Sequence, residues 1–234
     1  MRYPHRAPWD RACPRRSGND PPLQTHRTDS VLSSTSTRRR GAGRFDAETA
    51  RAADECIALL EQGLALVEAL EDEDYTTAPP WSTPPRDDGT RDARTAPTWS
   101  SPAAHTRHLL DFVDCLLAGI DAQRVDYTAR KRRTEVESSR EGGRRALVHA
   151  IEGLERIRGL DAERRLEVRP EPGQSFTRST LARELQFVTG HAVHHHALIR
   201  MTLALRGIEV PAEYGVAPST LAHQAATSEG SGAR

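Results

Sequence analysis

The chain has 234 residues, and its 33 lysines and arginines balance 33 aspartates and glutamates, so its formal charge is zero. That balance argues against a basic nucleic-acid-binding domain and against an acidic disordered protein. No run of residues approaches the roughly 18 apolar positions of a membrane-spanning helix, and the first 20 residues lack the apolar stretch of a secretory signal. We therefore expect a cytoplasmic protein of one or at most two domains, without a membrane partner.

The zero charge is divided unevenly along the chain. Residues 1–44 contain ten arginines against three aspartates, a net charge of +7, so the remainder carries −7. This basic stretch has too little apolar content to offset the entropy lost on ordering. We predict a disordered basic extension over 1–45, a folded domain over 46–222 and a disordered tail over 223–234. The extension is either dispensable or an arm for nucleic acid, but the acidic domain itself is not expected to bind nucleic acid.

Blocks without proline mark the positions of long helices, because proline is excluded from helix interiors. The first helix is predicted over about 46–73, where apolar residues recur at helical spacing: Ile57, Leu60, Leu64 and Val67. The stretch 76–98, rich in proline, threonine and aspartate, is predicted to be a loop. The second helix is predicted to start at Ser100 or Ser101, with Pro102 in its first turn.

The remaining chain predicts two further helices. A loop carrying Asp126 and Tyr127 follows the second helix, and the third helix is predicted over about 139–159. Residues 166–176 are predicted to form an irregular connection, and the fourth helix is the longest, over 180–206. No segment shows convincing β-strand alternation. Four amphipathic helices predict an all-α fold, an up-down-up-down four-helix bundle.

Histidines carry the functional signal. Six of the ten lie in two clusters on the predicted second and fourth helices: His105, His108, His191, His194, His195 and His196. His191 and His195 are four residues apart, so their imidazoles point the same way, one turn apart, as two metal-ligating histidines on a helix require. Both share an apolar stripe with Val188 and Leu198, which predicts burial, and a buried imidazole needs a partner.

A third nitrogen is available from the second helix, where either His105 or His108 can supply it. The helical wheel slightly favours His105, which lies nearer the centre of the apolar stripe. Three histidines would leave open positions on a divalent metal ion, which suits catalysis more than a structural site. His194 and His196 lie at the margins of their stripe and are expected to be surface or orienting groups. The competing interpretations are core packing and a histidine-rich surface patch.

Other polar residues are candidates for substrate binding or catalysis. Tyr127, Arg130 and Arg132 form a loop that can bind an anionic group of a substrate, or a basic loop that is merely solvated. Glu184 lies two helical turns before His191 and can orient a ligand or a metal-bound water, or simply pair with an arginine. Three scattered cysteines are too few for a disulfide framework or a cysteine-based zinc site.

Four blocks of sequence carry a family resemblance. They are WSSPAAHTRHLLD over 99–111, DYTARKR over 126–132, RELQFVTGHAVHHHALI over 183–199 and YGVAPST over 214–220. Together they resemble the DinB-like (damage-inducible, YfiT-like) superfamily over about residues 46–220. Such families are up-down-up-down four-helix bundles that hold a divalent metal ion on three histidines.

The resemblance implies that His108, His191 and His195 are the metal ligands. It selects His108 because the family's ligand precedes an aspartate by three residues, as His108 precedes Asp111; His105 stays the alternative from the helical wheel. Known relatives include transferases and isomerases that use bacillithiol or mycothiol, and several members are dimers. The resemblance therefore implies zinc, nickel, iron or manganese, a low-molecular-weight thiol as cosubstrate, and a homodimer.

Two functions follow as hypotheses. The first is a metal-dependent enzyme, a thiol-dependent transferase or a hydrolase, that acts on a small molecule at the three-histidine site. Its candidate catalytic residues are Glu184, Tyr127 and Arg130. The second is a non-catalytic, stress-linked helical module for binding or dimerisation, in which the histidines are structural.

Overall fold

The computed structural model describes residues 39–79, 100–131 and 134–231. Within these ranges the chain is mainly helical, as the sequence predicts, and a small three-stranded sheet joins the helices. The helices are α1 (Arg39–Ala69), α2 (Asp72–Thr76), α3 (Pro102–Gly119), α4 (Thr134–Ser138), α5 (Arg140–Ile157), α6 (Leu181–Leu205) and α7 (Pro218–Ser231). The strands are β1 (Arg124–Asp126), β2 (Arg165–Arg169) and β3 (Thr177–Thr180). No helix of this part of the chain is long and apolar enough to cross a membrane.

Helices α3, α5 and α6 begin where local sequence signals place them. The hydroxyl of Ser101 accepts a hydrogen bond of 3.1 Å from the amide of Ala104, at the start of α3. Ser139 caps α5 and Thr180 caps α6 in the same way. Each cap satisfies an amide that has no partner within the helix. The second, third and fourth predicted helices are confirmed to within a few residues.

The first predicted helix is divided in two. Helix α1 begins at Arg39, before its predicted start, and ends at Ala69. The acidic run that follows forms the first turn of α2, where negative charge is favourable beside unpaired amides. Of the predicted disordered extension over 1–45, residues 1–38 lie outside the described residues, and residues 39–45 belong to α1. Most of the predicted loop over 76–98 lies outside them too.

Four long helices form a ring around one core. Helix α1 packs against α5 and α6, and α3 packs against the same two helices, so α1 and α3 lie at opposite corners. Apolar residues from all four helices fill the centre and are almost completely buried: Leu60, Leu109, Val113, Leu147, Leu154, Leu185 and Val188. Burial of this apolar surface is the main force that holds the helices together.

The predicted up-down-up-down order is wrong, because α3 and α5 run in the same direction. Near the first turn of α3, Arg107 binds Glu137, which lies just before α5. Near the other end of both helices, the side chain of Leu117 fills the space beside Gly153. Periodicity fixes which face of each helix is buried, but it does not fix the direction in which a helix crosses the bundle.

Helix α5 is antiparallel to α1, and α6 is antiparallel to α3. Arg140, at the start of α5, donates a hydrogen bond to the carbonyl of Glu68 near the end of α1, and Arg158 beyond α5 pairs with Asp54 of α1. Helix α6 is antiparallel to α3, because Phe187 contacts Phe112 and the later His195 contacts the earlier His105. The order of α1, α3, α5 and α6 is therefore up-down-down-up.

The connection between α3 and α5 runs back along α3, because two parallel neighbours can be joined only by a chain that returns along the bundle. Its contacts with α3 are, in order, Arg124 with Gly119, Tyr127 with Phe112, Arg130 with His108, and Glu137 with Arg107. This path brings Tyr127 and Arg130 beside the histidine-bearing face of α3.

The sequence predicts no strand, and that prediction is wrong over three short segments. Strand β2 pairs in parallel with β1 and antiparallel with β3. Leu166 and Val168 are buried and alternate with more exposed charged residues along β2, which is the pattern of a half-buried strand. The alternation covers only five residues, too few for periodicity to distinguish a strand from an irregular connection.

Helix α7 occupies most of the segment 223–234, for which the sequence predicts a disordered tail. Proline is favourable in the first turn of a helix, and alanine, which recurs along this segment, is the strongest helix former. These local preferences outweigh the polar composition on which the prediction rests.

Candidate metal centre

Histidines of α3 and α6 meet inside the bundle. The ring centroid of His108 lies 5.2 Å from that of His191 and 4.7 Å from that of His195. The rings of His191 and His195 lie 4.5 Å apart. One nitrogen from each of the three residues lies within 4.8 Å of the other two. We call these residues the three-histidine group.

The three imidazoles are in the chemical state that a divalent metal ion requires. Burial lowers the pKa of His191 to about 4 and that of His195 to about 2, and burial together with the nearby Arg130 lowers the pKa of His108. All three are therefore neutral at pH 7, and each offers one nitrogen lone pair.

A buried nitrogen of His191 tests whether the three-histidine group fits a metal ion. Its Nε2 atom has no hydrogen-bond partner within the part of the chain that the structure describes. Leaving such an atom unpartnered is costly, so something outside the chain is expected to bind it. Imidazole nitrogens at this spacing suit zinc and similar divalent ions, and the donor set fits the metal that the family resemblance implies.

His105 lies beside the three-histidine group rather than within it. Its Nδ1 is 3.2 Å from Nδ1 of His195, a hydrogen-bond distance. If Nε2 of His195 is to bind a metal ion, its lone pair must be free. Nδ1 of His195 must then carry the ring proton and donate a hydrogen bond to Nδ1 of His105. The helical wheel favours His105 as the third member, but the structure brings His108 into the group instead.

Replacing His105 with leucine is expected to weaken metal binding roughly ten- to hundredfold, the usual effect of losing the group that orients a ligating imidazole. Asparagine can place its carbonyl oxygen near the position of Nδ1, so the His105→Asn variant should bind metal more tightly than His105→Leu. Competition with a chromophoric chelator measures both affinities. A leucine variant with the wild-type affinity would contradict an orienting role for His105.

Aromatic rings close one side of the three-histidine group. The ring of Phe112 lies 4.1 Å from that of His191, and the ring of Phe187 lies 6.1 Å from it. Tyr127 stacks on Phe112 at 5.2 Å and completes the wall. These rings exclude water and contribute to the desolvation that keeps the imidazoles neutral. Sequence reasoning missed Phe187, although its position one turn before His191 places it on the same face of α6.

Glu184 is buried and fully engaged with two hydroxyl groups. Tyr127 donates a hydrogen bond of 2.8 Å to one carboxylate oxygen, and Ser179 donates one of 2.5 Å to the other. Burial and the nearby Glu184 carboxylate raise the pKa of Tyr127 well above its usual range, so it stays protonated and remains a donor. The structure therefore brings two catalytic candidates, Glu184 and Tyr127, together with each other. Sequence reasoning did not select Ser179.

Arg130 is half-buried and reaches the three-histidine group. Its Nη1 atom lies 3.5 Å from Nδ1 of His108, and its guanidinium carbon lies 5.6 Å from the centre of the Phe112 ring. Arg132, the other arginine predicted to bind an anion, lies outside the described residues. Of the two residues of the predicted loop that the structure describes, Tyr127 completes the aromatic wall and Arg130 contacts His108.

The two remaining histidines of the second cluster have different surroundings. His194 is exposed, beside a shallow groove that also borders His191, Phe187 and Gly190. His196 is buried on the opposite side of α6, where its ring stacks on Tyr214 at 4.7 Å. The stack attaches the loop after α6 to the bundle. His196 therefore contributes to packing on a different face of α6 from the one that carries the three-histidine group.

Acid is expected to destabilise the metal-free protein between about pH 6.5 and pH 4. Burial lowers the pKa of His196 to about 4, against roughly 6.5 in an unfolded chain, so between these values the unfolded chain takes up a proton that the folded chain does not. Each such histidine lowers the free energy of unfolding by about 1.4 kcal/mol per pH unit in this window. Urea unfolding in EDTA at pH 4–7 measures the slope, and His196→Phe should reduce it by about one proton. An unchanged slope in that variant would contradict the assignment.

The two described cysteines are buried and poorly suited to nucleophilic chemistry. Burial raises the pKa of Cys56 to about 12 and that of Cys115 to about 11. Both thiols are protonated at pH 7 and act as apolar packing groups.

The comparison with known families agrees with this geometry. The model of the DinB superfamily matches residues 58–199, which is more than half of the chain and includes every member of the three-histidine group. The chain belongs to the DinB superfamily. The matched range also contains His105, Arg130 and Glu184.

A short match to one curated protein adds no functional argument. The chain is 44% identical over 45 residues to FK506-binding protein 5 of Rhizopus delemar, which is 19% of this chain. It covers only 12% of that protein. No solved structure matches the chain significantly.

Proposed function

We propose that this DinB-superfamily protein binds a divalent metal ion on His108, His191 and His195 and is a metal-dependent enzyme acting on a small molecule. The observation that carries the proposal is the buried, unpartnered Nε2 of His191 within a group of three neutral imidazoles. Two reaction classes suit the site: transfer of a group to or from a thiol, and hydrolysis.

The chemistry follows from the donor set. When bound, a divalent ion on three neutral histidines keeps its charge and open positions, and it lowers the pKa of a coordinated thiol or water. The chain's own part is to hold His195 through His105, to exclude water with Phe112, and to keep the imidazoles unprotonated.

A groove beside the group offers access to a small molecule. It has a volume of about 480 Å³ and is bordered by Arg183, Phe187, Gly190, His191 and His194. The groove is shallow and open to solvent, so it gives access to His191 without enclosing a ligand. The mixed aromatic and polar border suits a ligand with both an apolar and a polar part.

One observation favours a non-catalytic module as the second candidate. Both oxygens of Glu184, the buried carboxylate nearest in sequence to the histidines of α6, already accept hydrogen bonds from hydroxyl groups. Glu184 is thus not free to act as a general base in this arrangement. A stress-linked binding or dimerisation module would retain the fold without needing such a base.

Metal analysis followed by ligand binding separates the two candidates. The purified protein is analysed for zinc, nickel, iron and manganese, and its melting temperature is measured with a series of low-molecular-weight thiols. A bound ligand raises the melting temperature by mass action. One metal ion per chain and a thiol-dependent increase support the enzyme, whereas a protein that takes up none of these metals contradicts it.

The homodimer and the cytoplasmic location stay predictions. Light scattering coupled to size-exclusion chromatography tests the first of these. Met201 and Leu205, which are exposed and one turn apart on α6, are the apolar residues that such an interface would cover.

A further inference from the structure

Arg130 is a half-buried cation, and no residue within 39–79, 100–131 or 134–231 gives it an anionic partner. Among the residues that the structure describes, its contacts are Nδ1 of His108 at 3.5 Å and the face of Phe112 at 5.6 Å. Neither contact neutralises the guanidinium charge. A guanidinium in partly apolar surroundings is normally paired with a carboxylate or another anion.

Other partly buried arginines of the described chain bind an oxygen: Arg164 and Arg200 donate to backbone carbonyls, and three more bind carboxylates. Arg107 binds Asp111, Arg169 binds Asp126, and Arg206 binds Asp74. Arg130 differs from them because, among the described residues, it contacts an imidazole and an aromatic ring and neither a carboxylate nor a carbonyl.

The acidic side chains around the site are engaged elsewhere. Asp111 and Asp126 pair with arginines, and Glu184 accepts hydrogen bonds from Tyr127 and Ser179. The three-histidine group consists of neutral ligands, so a bound divalent ion would keep its full charge beside that of Arg130. A metal ion and a half-buried guanidinium that touch the same imidazole repel each other unless an anion lies between them.

We propose that Arg130 is the anion-binding residue of the site and that the substrate is a small thiol carrying a carboxylate. The carboxylate binds the guanidinium, whose planar fork matches its two oxygens, and the thiol of the same molecule faces the metal. Because Arg130 contacts a ligating imidazole, both groups belong to one short molecule. This inference rests on the proposed metal site and names its substrate class.

Calorimetric titration of the zinc-loaded protein tests the inference with two thiols of similar size. Mercaptoacetate carries a carboxylate, and 2-mercaptoethanol carries a neutral hydroxyl in its place. In the Arg130→Gln variant, binding of mercaptoacetate is expected to weaken roughly ten- to hundredfold, the effect of losing a charge-assisted hydrogen bond. Binding of 2-mercaptoethanol should stay within about twofold, because the neutral thiol has no carboxylate for Arg130 to bind.

Two further variants control for charge and position. Arg130→Lys keeps the positive charge and should retain part of the affinity for mercaptoacetate. Arg145→Gln removes the same charge from an exposed position on α5 and should bind both thiols as the wild type does. An equal loss for both thiols in Arg130→Gln, or no loss for either, would overturn the role of Arg130.

Acetate distinguishes failure of this inference from failure of the proposed thiol chemistry. Acetate binding that falls in Arg130→Gln upholds the anion subsite even if neither thiol binds, and then only the thiol chemistry fails. Acetate that does not bind, or that binds equally to wild type and variant, overturns the subsite. Metal content is measured on every sample, so a loss of zinc is recognised separately.

Discussion

Replacing His191 with alanine is expected to abolish stoichiometric metal binding, with a loss of affinity greater than about a hundredfold. Removing a ligating nitrogen should cost more than removing a group that only orients one. The unpartnered Nε2 of His191 makes this the most informative of the three positions, because its loss breaks no hydrogen bond of that atom within the described chain. Elemental analysis after dialysis, together with chelator competition, measures the effect.

The neighbouring His194 provides the matched control. It is exposed, lies on the same helix and is outside the three-histidine group. The His194→Ala variant should keep one metal ion per chain with an affinity within a few-fold of the wild type. If both alanine variants lost metal equally, or if His191→Ala kept it, the assignment of the ligands would be wrong.

Replacing Gly142 with alanine is expected to destabilise the protein by about 3 kcal/mol, although alanine is the better helix former. Gly142 lies in the first turn of α5, where a Cβ atom would overlap the backbone carbonyl of Glu135. A backbone atom cannot move aside as a flexible side chain can, so α4 and α5 would have to separate. Urea unfolding measures the change in the free energy of unfolding.

Gly190 tests the opposite case in the same experiment. It is exposed within α6, and a Cβ atom there would meet nothing within 4 Å. Gly190→Ala should therefore stabilise the protein by about 0.5–1 kcal/mol, the usual difference in helix propensity. Equal effects at the two glycines would show that propensity, rather than the close approach of α4, governs Gly142.

The sequence predicts the helices and the histidine pair well because both depend on local spacing. The apolar recurrence and the capping residues Ser101, Ser139 and Thr180 locate α3, α5 and α6, and the four-residue spacing of His191 and His195 places both rings on one face. Choosing between His105 and His108 needs the rotation of α3 against α6. That rotation is a tertiary property, and the wheel of a single helix does not contain it.

Direction and pairing are the features that local spacing leaves open. Nothing in the periodicity of α5 states that it runs parallel to α3. The two partners of Glu184 come from outside its helix, Ser179 from β3 and Tyr127 from the connection after α3. The sheet escaped prediction for the same reason, since its longest strand has five residues and gains its stability from pairing. The sequence identifies Arg130 as a basic residue, but it does not show that no carboxylate of the described ranges pairs with it.

The connection that returns along α3 to α5 lies on a different part of the chain from the helices that hold the histidines. The histidines lie on α3 and α6, whose packing fixes their geometry. The connection between α3 and α5 contributes the buried Tyr127 to the core and the half-buried Arg130 beside His108. On the proposed role of Arg130, substitutions at the half-buried and exposed positions of this connection are expected to alter which molecule is recognised, while the helices that hold the histidines keep their packing. Because α3 and α5 are parallel, the connection between them is long enough to line the site. A short turn between antiparallel helices would not reach it. Chimaeras that exchange residues 128–131 between relatives, and so leave the buried Tyr127 in place, are expected to exchange ligand preference and to retain metal affinity.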